Sequence, residues 1–423
     1  MPQAQSEWGR FRYELLTALS LAFDSIRSHK LRSFLTLLGV IIGVASVILV
    51  GSAIEGLGVY AQQSTAKAFG TESYMVAQVA SAGNMTRREY FDRLRTNRPI
   101  TIDEFRFLKA ANQDNSIYSP YRQNVVDFKR DNLIQEDSSV IGASSALADI
   151  RDIGIVSGRF FTDQEEKSRA FVAVIGDDTR ANLFPEGSPL GKTLKIKGID
   201  FTVIGLQEKL GAAFGVSRDK SAYIPITSFN RLFGSGNGFA LFARAKPDSG
   251  LNMQQSLDMT RVALRTRFHE RPGQKDRFDT LTPDSIRGFV DQVLGMISLI
   301  VVPVTLISLV VGGIVIMNIM LVSVTERTRE IGIRKALGAR RFTVLLQILV
   351  ESIMLSALGG MLGIAIGALL TFALGKAFDL TLHITMTYVA LSLFVSTAVG
   401  VVSGWYPASR ASKLDPIEAL RSE

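Results

Sequence analysis

The chain contains no cysteine, so disulfides and thiolate chemistry are both closed to it, although this says little about its compartment. Histidine is nearly absent as well: His29, His269 and His383 are the whole complement. None has a second ligand at metal-binding spacing, and no Ser/His/Asp arrangement is visible. Zinc or general-base chemistry would have to rest on isolated side chains. A nucleotide-binding loop is missing too. Gly187-Ser188-Pro189-Leu190-Gly191-Lys192-Thr193 resembles one, but Glu186 stands where the first glycine belongs. That string follows Phe184-Pro185 and leads into a strand pattern, so it reads as a turn. A non-catalytic chain that binds no metal or cofactor of its own is expected.

Charge is also absent from four long stretches, although 47 Lys and Arg and 39 Asp and Glu occupy the rest of the 423 residues. The first stretch lies between Arg32 and Glu55, and the second between Asp291 and Glu326. The third runs from Phe342 to Gly375, broken only by Glu351, and the fourth from Ile384 to Ser409. A mid-span charge costs about 2.5 to 3.5 kcal/mol on insertion scales, so stretches this long read as membrane helices. The second would extend roughly 50 Å as one helix, past the apolar core of about 30 Å, and so predicts a stalk. Glu351, near one end of its span, calls for snorkelling or a local arginine partner.

These stretches divide the chain into an amphipathic arm (1–32), a first span (33–56), an inserted domain (57–290) and a second span with its stalk (291–325). A coupling loop (326–342), a third span (343–375), a short loop (376–383), a fourth span (384–406) and a tail (407–423) follow. Basic residues set the orientation. Arg10, Arg12, Arg27, Lys30 and Arg32 lie in the arm. Arg327, Arg329, Arg334, Lys335, Arg340 and Arg341 lie in the coupling loop, Arg410, Lys413 and Arg421 in the tail, and Lys376 alone between the last two spans. Both termini and the coupling loop therefore read as cytoplasmic and the inserted domain as exported. This accounts for the formal charge of +8 without invoking nucleic acid. A cleaved leader is the competing reading of the first span, but its apolar run is too long and follows an extended arm. In that arm Trp8, Phe11, Leu15, Leu19, Ala22, Phe23 and Ile26 recur at helical spacing, which suits a helix on the membrane lipid surface or one packed on its own bundle.

The inserted domain alternates short apolar strands with capped helices, an α+β pattern long enough for two subdomains. Thr101 with Glu104 and Thr162 with Glu165 have capping-box spacing. Strands are expected over 74–79, 125–130, 170–176, 193–197, 201–206, 222–225 and 239–245, and helices over 101–111, 177–184, 227–233 and 251–268. Lys197-Gly198-Ile199-Asp200 reads as a hairpin turn, and 212–219 and 234–238 read as loops. In the spans Gly39 and Gly43, Gly359, Gly363 and Gly367, and Gly400 and Gly404 are four apart, a spacing that lets helix backbones approach closely.

The coupling loop carries the densest pattern. Glu330 and Arg334 are four apart, Glu326 and Arg329 three apart, and Ile333 and Leu337 form an apolar pair, so a short amphipathic helix is expected with Gly338 as its stop. In the tail Asp415 is placed to cap a helix, with Pro416 first and Glu418 completing the box.

Four segments carry a family resemblance. They are Arg27-Ser28-His29-Lys30-Leu31-Arg32-Ser33 running to Gly39, the block 318–340 containing Thr325-Glu326-Arg327-Thr328-Arg329-Glu330-Ile331-Gly332-Ile333-Arg334-Lys335, the stretch from Gln347 to Gly360, and Tyr406-Pro407-Ala408-Ser409-Arg410-Ala411 through Asp415-Pro416-Ile417-Glu418. In these the chain resembles the FtsX-like permeases of ABC transporters, most closely the MacB-type branch. Leu183-Phe184-Pro185 with Gly191-Lys192 also matches that branch's periplasmic domain. The resemblance implies an α-helical membrane protein with four transmembrane helices and a large α+β periplasmic domain between helices 1 and 2. It implies a cytoplasmic ABC ATPase meeting Glu326 to Arg341, with Ile331, Gly338 and Arg340 in that contact; the capped tail helix at Asp415, Pro416 and Glu418 supports a second cytoplasmic contact. The MacB pattern includes an N-terminal ATPase domain. No Walker motif occurs here, so the expectation is a separate ATPase that binds ATP and Mg. A second permease chain, a periplasmic adaptor and an outer-membrane channel are further implied partners, with the bacterial inner membrane as location. Export driven by mechanotransmission is the function expected; lipoprotein release, a scaffold acting on a cell-wall hydrolase and a membrane-anchored enzyme are the alternatives.

Overall fold

The computed structural model describes all residues except 1–29, 71, 84, 214–215, 237, 379–381 and 422–423, and omits the side chains of 30–36, 378, 418, 420 and 421. The helix expected in the arm lies outside these residues. Two compact units result, one formed by 1–60 with 292–423, the other by 61–291.

Among the described residues four helices are long and apolar enough to cross a membrane. The first runs Lys30–Phe69, well past the expected end at 56. Loss of hydropathy after Glu55 does not end a helix when the residues that follow, Leu57 to Phe69, contain no proline and bury Ala61, Ser64 and Thr65. It stops at Gly70, whose φ of +83° suits a left-handed cap. The second, Pro283–Glu326, is one 44-residue helix, about 66 Å long. Pro283 sits where its missing N–H is harmless, while Thr282 and Ser285 exchange side-chain to backbone hydrogen bonds at its start. The third runs Arg341–Phe378 and the fourth Met386–Ser412. The fourth continues through Pro407 instead of ending at 406.

The inserted domain is built on a ten-stranded sheet in the order β12-β1-β11-β2-β3-β10-β5-β7-β4. In chain order the strands are β1 Ser73–Ala77, β2 Ser116–Arg130, β3 Leu133–Ala143, β4 Ile155–Gly158, β5 Val172–Ile175, β6 Thr193–Ile196 and β7 Ile199–Gln207. They continue with β8 Ala212–Ala213, β9 Val216–Ser217, β10 Ser221–Pro225, β11 Ala240–Ala245 and β12 Asp279–Leu281. β6 pairs with both β2 and β7, so β2, β3, β10, β5, β7 and β6 close into a ring. Within the ring Phe128, Leu194, Ile196, Phe201, Val203 and Ile224 form one fully buried cluster. The open wing β12-β1-β11 carries another, in which Tyr74, Tyr118 and Leu241 meet Leu108, Leu257 and Leu264 from helices Ile102–Ala111 and Met253–Arg267. A third buried cluster joins the two parts, with Ile141, Val174 and Tyr223 of the ring packed with Phe242 of β11, and the 15 residues of β2 run through both, so the inserted domain is one compact unit.

Both expected capping boxes form, at Thr101/Glu104 and Thr162/Glu165. Thr162 accepts from the backbone N–H of Glu165, whose carboxylate takes two hydrogen bonds from Arg159. The Lys197–Gly198 turn joins β6 to β7 with both residues at positive φ, the geometry that matches strand twist in a two-residue hairpin. Ile199 and Asp200 already belong to the strand. The stretch 212–219, expected as loop, contains the small β8-β9 pair. It is pinned by buried Asp219, which accepts from the backbone N–H groups of Leu210 and Gly211.

Candidate functional site

The second span ends at Glu326, and Arg327 breaks the helix before a short one begins at Thr328 and runs to Ala336. Its stop is chemically explicit. Gly338 has φ +95°, its N–H donates to Lys335 O, and the N–H of Ala339 donates to Arg334 O, the paired bonds of a Schellman cap. One face of this helix is packed: Ile331 joins Met320, Val324, Val344, Ile348, Ala408 and Ala411 in a buried cluster. Gly332 lies against Ala419 of the terminal helix Pro416–Arg421, where an added Cβ would come within 2.6 Å.

The charges in this segment divide into two sets. Arg334 donates to Gln347 Oε1 at 2.8 Å, and Lys335 donates to the carbonyls of Ser412, at 3.0 Å, and Leu414. Arg327 lies 3.7 Å from the buried carboxylate of Glu351, the local arginine that this intramembrane acid needed. These three cations are therefore turned onto their own chain. Glu326, Arg329, Glu330 and Arg340 are exposed. So are Ile333 and Leu337, 44% and 84% accessible, and Phe342 at the start of the third span, at 59%. The apolar pair legible in the sequence faces outward, and the inward anchor is Ile331.

In the tail Asp415 accepts from the backbone N–H of Ile417 at 2.9 Å, and Pro416 opens the helix. Glu418, expected to complete the box, has its side chain outside the described set.

The spaced glycines mark where spans touch. A Cβ on Gly39 would lie 2.7 Å from Gly312 Cα, and one on Gly43 2.8 Å from the Leu309 side chain. Gly359, Gly363 and Gly367 face Val40, Val44 and Ile48 of the first span at 3.1, 2.8 and 2.9 Å. Gly400 and Gly404 face Ser356 and Ser352, and the Ser352 hydroxyl donates across to Gly400 O at 3.0 Å. Lipid gives no hydrophobic drive to pair helices, so backbone approach of this kind supplies the packing. Gly312, Gly313 and Gly360 also sit at crossings. They have no partner four residues away in a repeated pattern, so spacing alone does not mark them.

Comparison with known proteins agrees with this architecture. The MacB-like periplasmic core domain family matches residues 33–257 and the FtsX-like permease C-terminal family matches 303–416. A macrolide export ATP-binding/permease protein MacB of Bdellovibrio bacteriovorus is 36% identical over 97% of this chain and 62% of its own length. Namesakes from Neisseria meningitidis and Vibrio parahaemolyticus are 31% and 32% identical over 100% and 99% of this chain, and 63% and 62% of their own. The chain thus spans under two thirds of these relatives. The crystal structure of the periplasmic region of MacB from Actinobacillus actinomycetemcomitans overlaps 53% of this chain and 95% of its own, at 17% identity and a TM-score of 0.42. A single family is matched across the inserted domain and its companion across the last three spans, so this chain belongs to the MacB-like, FtsX-type permeases.

Proposed function

We propose that this chain is the membrane subunit of an ABC-type exporter in which a separate cytoplasmic ATPase drives motion of the inserted domain. Two permease chains would meet a pair of ATPases that bind the ATP and Mg. The assembly would sit in the bacterial inner membrane with both termini in the cytoplasm, and a periplasmic adaptor and outer-membrane channel would receive the substrate. The relatives' names refer to macrolide export, so a substrate of that kind is the first to try.

One observation carries the reading. The helix Thr328–Ala336 is anchored by one face and turns Ile333 and Leu337 outward between Arg329, Glu330 and Arg340. A loop serving only to fix orientation would expose its charges and bury its apolar side chains; this one exposes both, the composition of a docking surface. Motion received there enters the second span at Glu326, the C-terminal end of a 44-residue helix.

The test is co-purification with the ATPase subunit. Ile333→Asp with Leu337→Asp abolishes it while the chain still inserts, and undiminished association would remove the basis of the proposal. Lipoprotein release has one observation in its favour, an apolar cavity of about 300 Å³ lined by Val44, Gly51, Val302, Leu309, Tyr388 and Leu391. Acyl-bearing protein found with the purified chain by mass spectrometry would favour that alternative.

A further inference from the structure

The string Gly187 to Thr193 forms the turn that its sequence suggests: Gly187 and Gly191 have φ of +71° and +75°, and Thr193 begins β6. Its last two residues nevertheless line a groove of about 620 Å³ on the ring of the inserted domain, together with Lys129, Arg130, Asp131, Lys195 and Asp200. Four cations face two carboxylates there.

Two features distinguish this groove from an ordinary solvated face. Lys129 and Lys195 are register partners in the β2-β6 ladder, and like charges directly opposite one another destabilise a sheet. Lys195 has Asp200 at 3.8 Å, whereas the Lys129 side chain has no ion-pair or hydrogen-bond partner among the described residues. The other two cations are held in place. Arg130 lies over the Phe184 ring, 4.4 Å from its centroid, and donates to Leu183 O at 2.9 Å; Lys192 donates to Glu186 O at 3.0 Å. Asp200 offsets one of the two opposed lysines and Asp131 lies 3.7 Å from Arg130, so the groove keeps a net positive charge, with Arg130 and Lys192 already positioned and little of their ordering left for an arriving anion to impose.

We propose that this groove binds an anion carrying two or more closely spaced phosphates. Lys129 and Lys195 would take one phosphate, and Arg130 and Lys192 a neighbouring one, with the Thr193 hydroxyl as an additional donor. A free polyphosphate and a lipid pyrophosphate headgroup share this chemistry.

The experiment is thermal unfolding of the full chain in neutral detergent with sodium tripolyphosphate, with a short-chain diacylglycerol pyrophosphate, or with monophosphate at matched ionic strength. Tripolyphosphate or the lipid pyrophosphate raises Tm in a saturable way and monophosphate does not; the more effective of the two identifies the source. Lys129→Gln raises Tm without ligand, because the repulsion is gone while the Lys195–Asp200 pair is kept, and Lys129→Gln with Lys195→Gln weakens binding by about tenfold or more. Lys275→Gln, at an exposed site elsewhere, changes neither. The proposal is overturned if neither polyphosphate compound shifts Tm at about 10 mM, far above a useful affinity, or if the double variant binds as the parent does.

Discussion

Replacing Gly39 by alanine tests the close crossing of the first and second spans. The new methyl would be 2.7 Å from Gly312 Cα, and because that atom is backbone no rotamer change can relieve it. Restoring an ordinary carbon contact of about 3.5 to 4.0 Å requires the two helices to separate by about 1 Å. A gap of that size forfeits a quarter to a half of the attraction of each atom pair along the crossing. Overpacking of this kind costs about 1 to 3 kcal/mol, partly offset by the roughly 1 kcal/mol by which alanine exceeds glycine in a helix. The net expectation is a loss of about 0 to 2 kcal/mol relative to the parent. The second span contains its own control: a methyl added at Gly295 would meet nothing within 4 Å, so Gly295→Ala keeps the propensity gain alone. Gly359→Ala, whose contact is a valine side chain at 3.1 Å, falls between them. Thermal or denaturant unfolding of the full chain in detergent should rank Gly295→Ala above the parent, then Gly359→Ala, then Gly39→Ala. Equal stability of the Gly39 and Gly295 variants would refute the close approach.

Three further outcomes are expected. Charge reversal at Lys335 lowers Tm even without the ATPase, because its ammonium satisfies the carbonyls of Ser412 and Leu414; an unchanged Tm with lost ATPase binding would return this residue to the docking face. Tyr74→Phe costs about 1 to 3 kcal/mol in unfolding, since its buried hydroxyl joins Ser256 and Thr260 in a network that also includes Tyr118 and Ser116. Glu165 is held down to about 2, first by the Arg159 hydrogen bonds and then by the backbone of Thr162. Its folded value is below its unfolded one, so its contribution is complete above the ordinary carboxylate range and disappears as pH falls through about 2. The Tm advantage of the parent over Glu165→Gln should therefore be present at about pH 6 and gone at the acid end.

Local chemistry made parts of this fold legible. The capping boxes at Thr101 and Thr162, the turn at Lys197-Gly198 and the charge-free spans each declare themselves within a few residues. The elements that escape such a reading depend on distant partners. The outer half of β3, Leu133 to Asp137, mixes exposed apolar and acidic residues, and it is a strand because β2 folds back against it. The start of β2 includes Pro120, which argues against a strand by composition, yet it pairs with Leu241 of β11. Helix Arg87–Thr96 buries no residue at all, so it leaves no apolar period to find. The coupling segment divides in the same way. Its helix, its glycine stop and the Asp415 cap are local and readable. The inward use of Arg334 and Lys335 is not, because Lys335 is satisfied by carbonyls 77 and 79 residues away.

The long strand β2 has a mechanical consequence. Its residues from Ser116 to Tyr121 pair with β11, those from Tyr121 to Arg130 with β3, and Phe128 and Lys129 also with β6. Sliding it by a single residue would exchange inward and outward side chains on every neighbour at once. Displacing the wing would therefore load the ring pairs at Phe128 and Lys129 through one continuous backbone before β2 could slip.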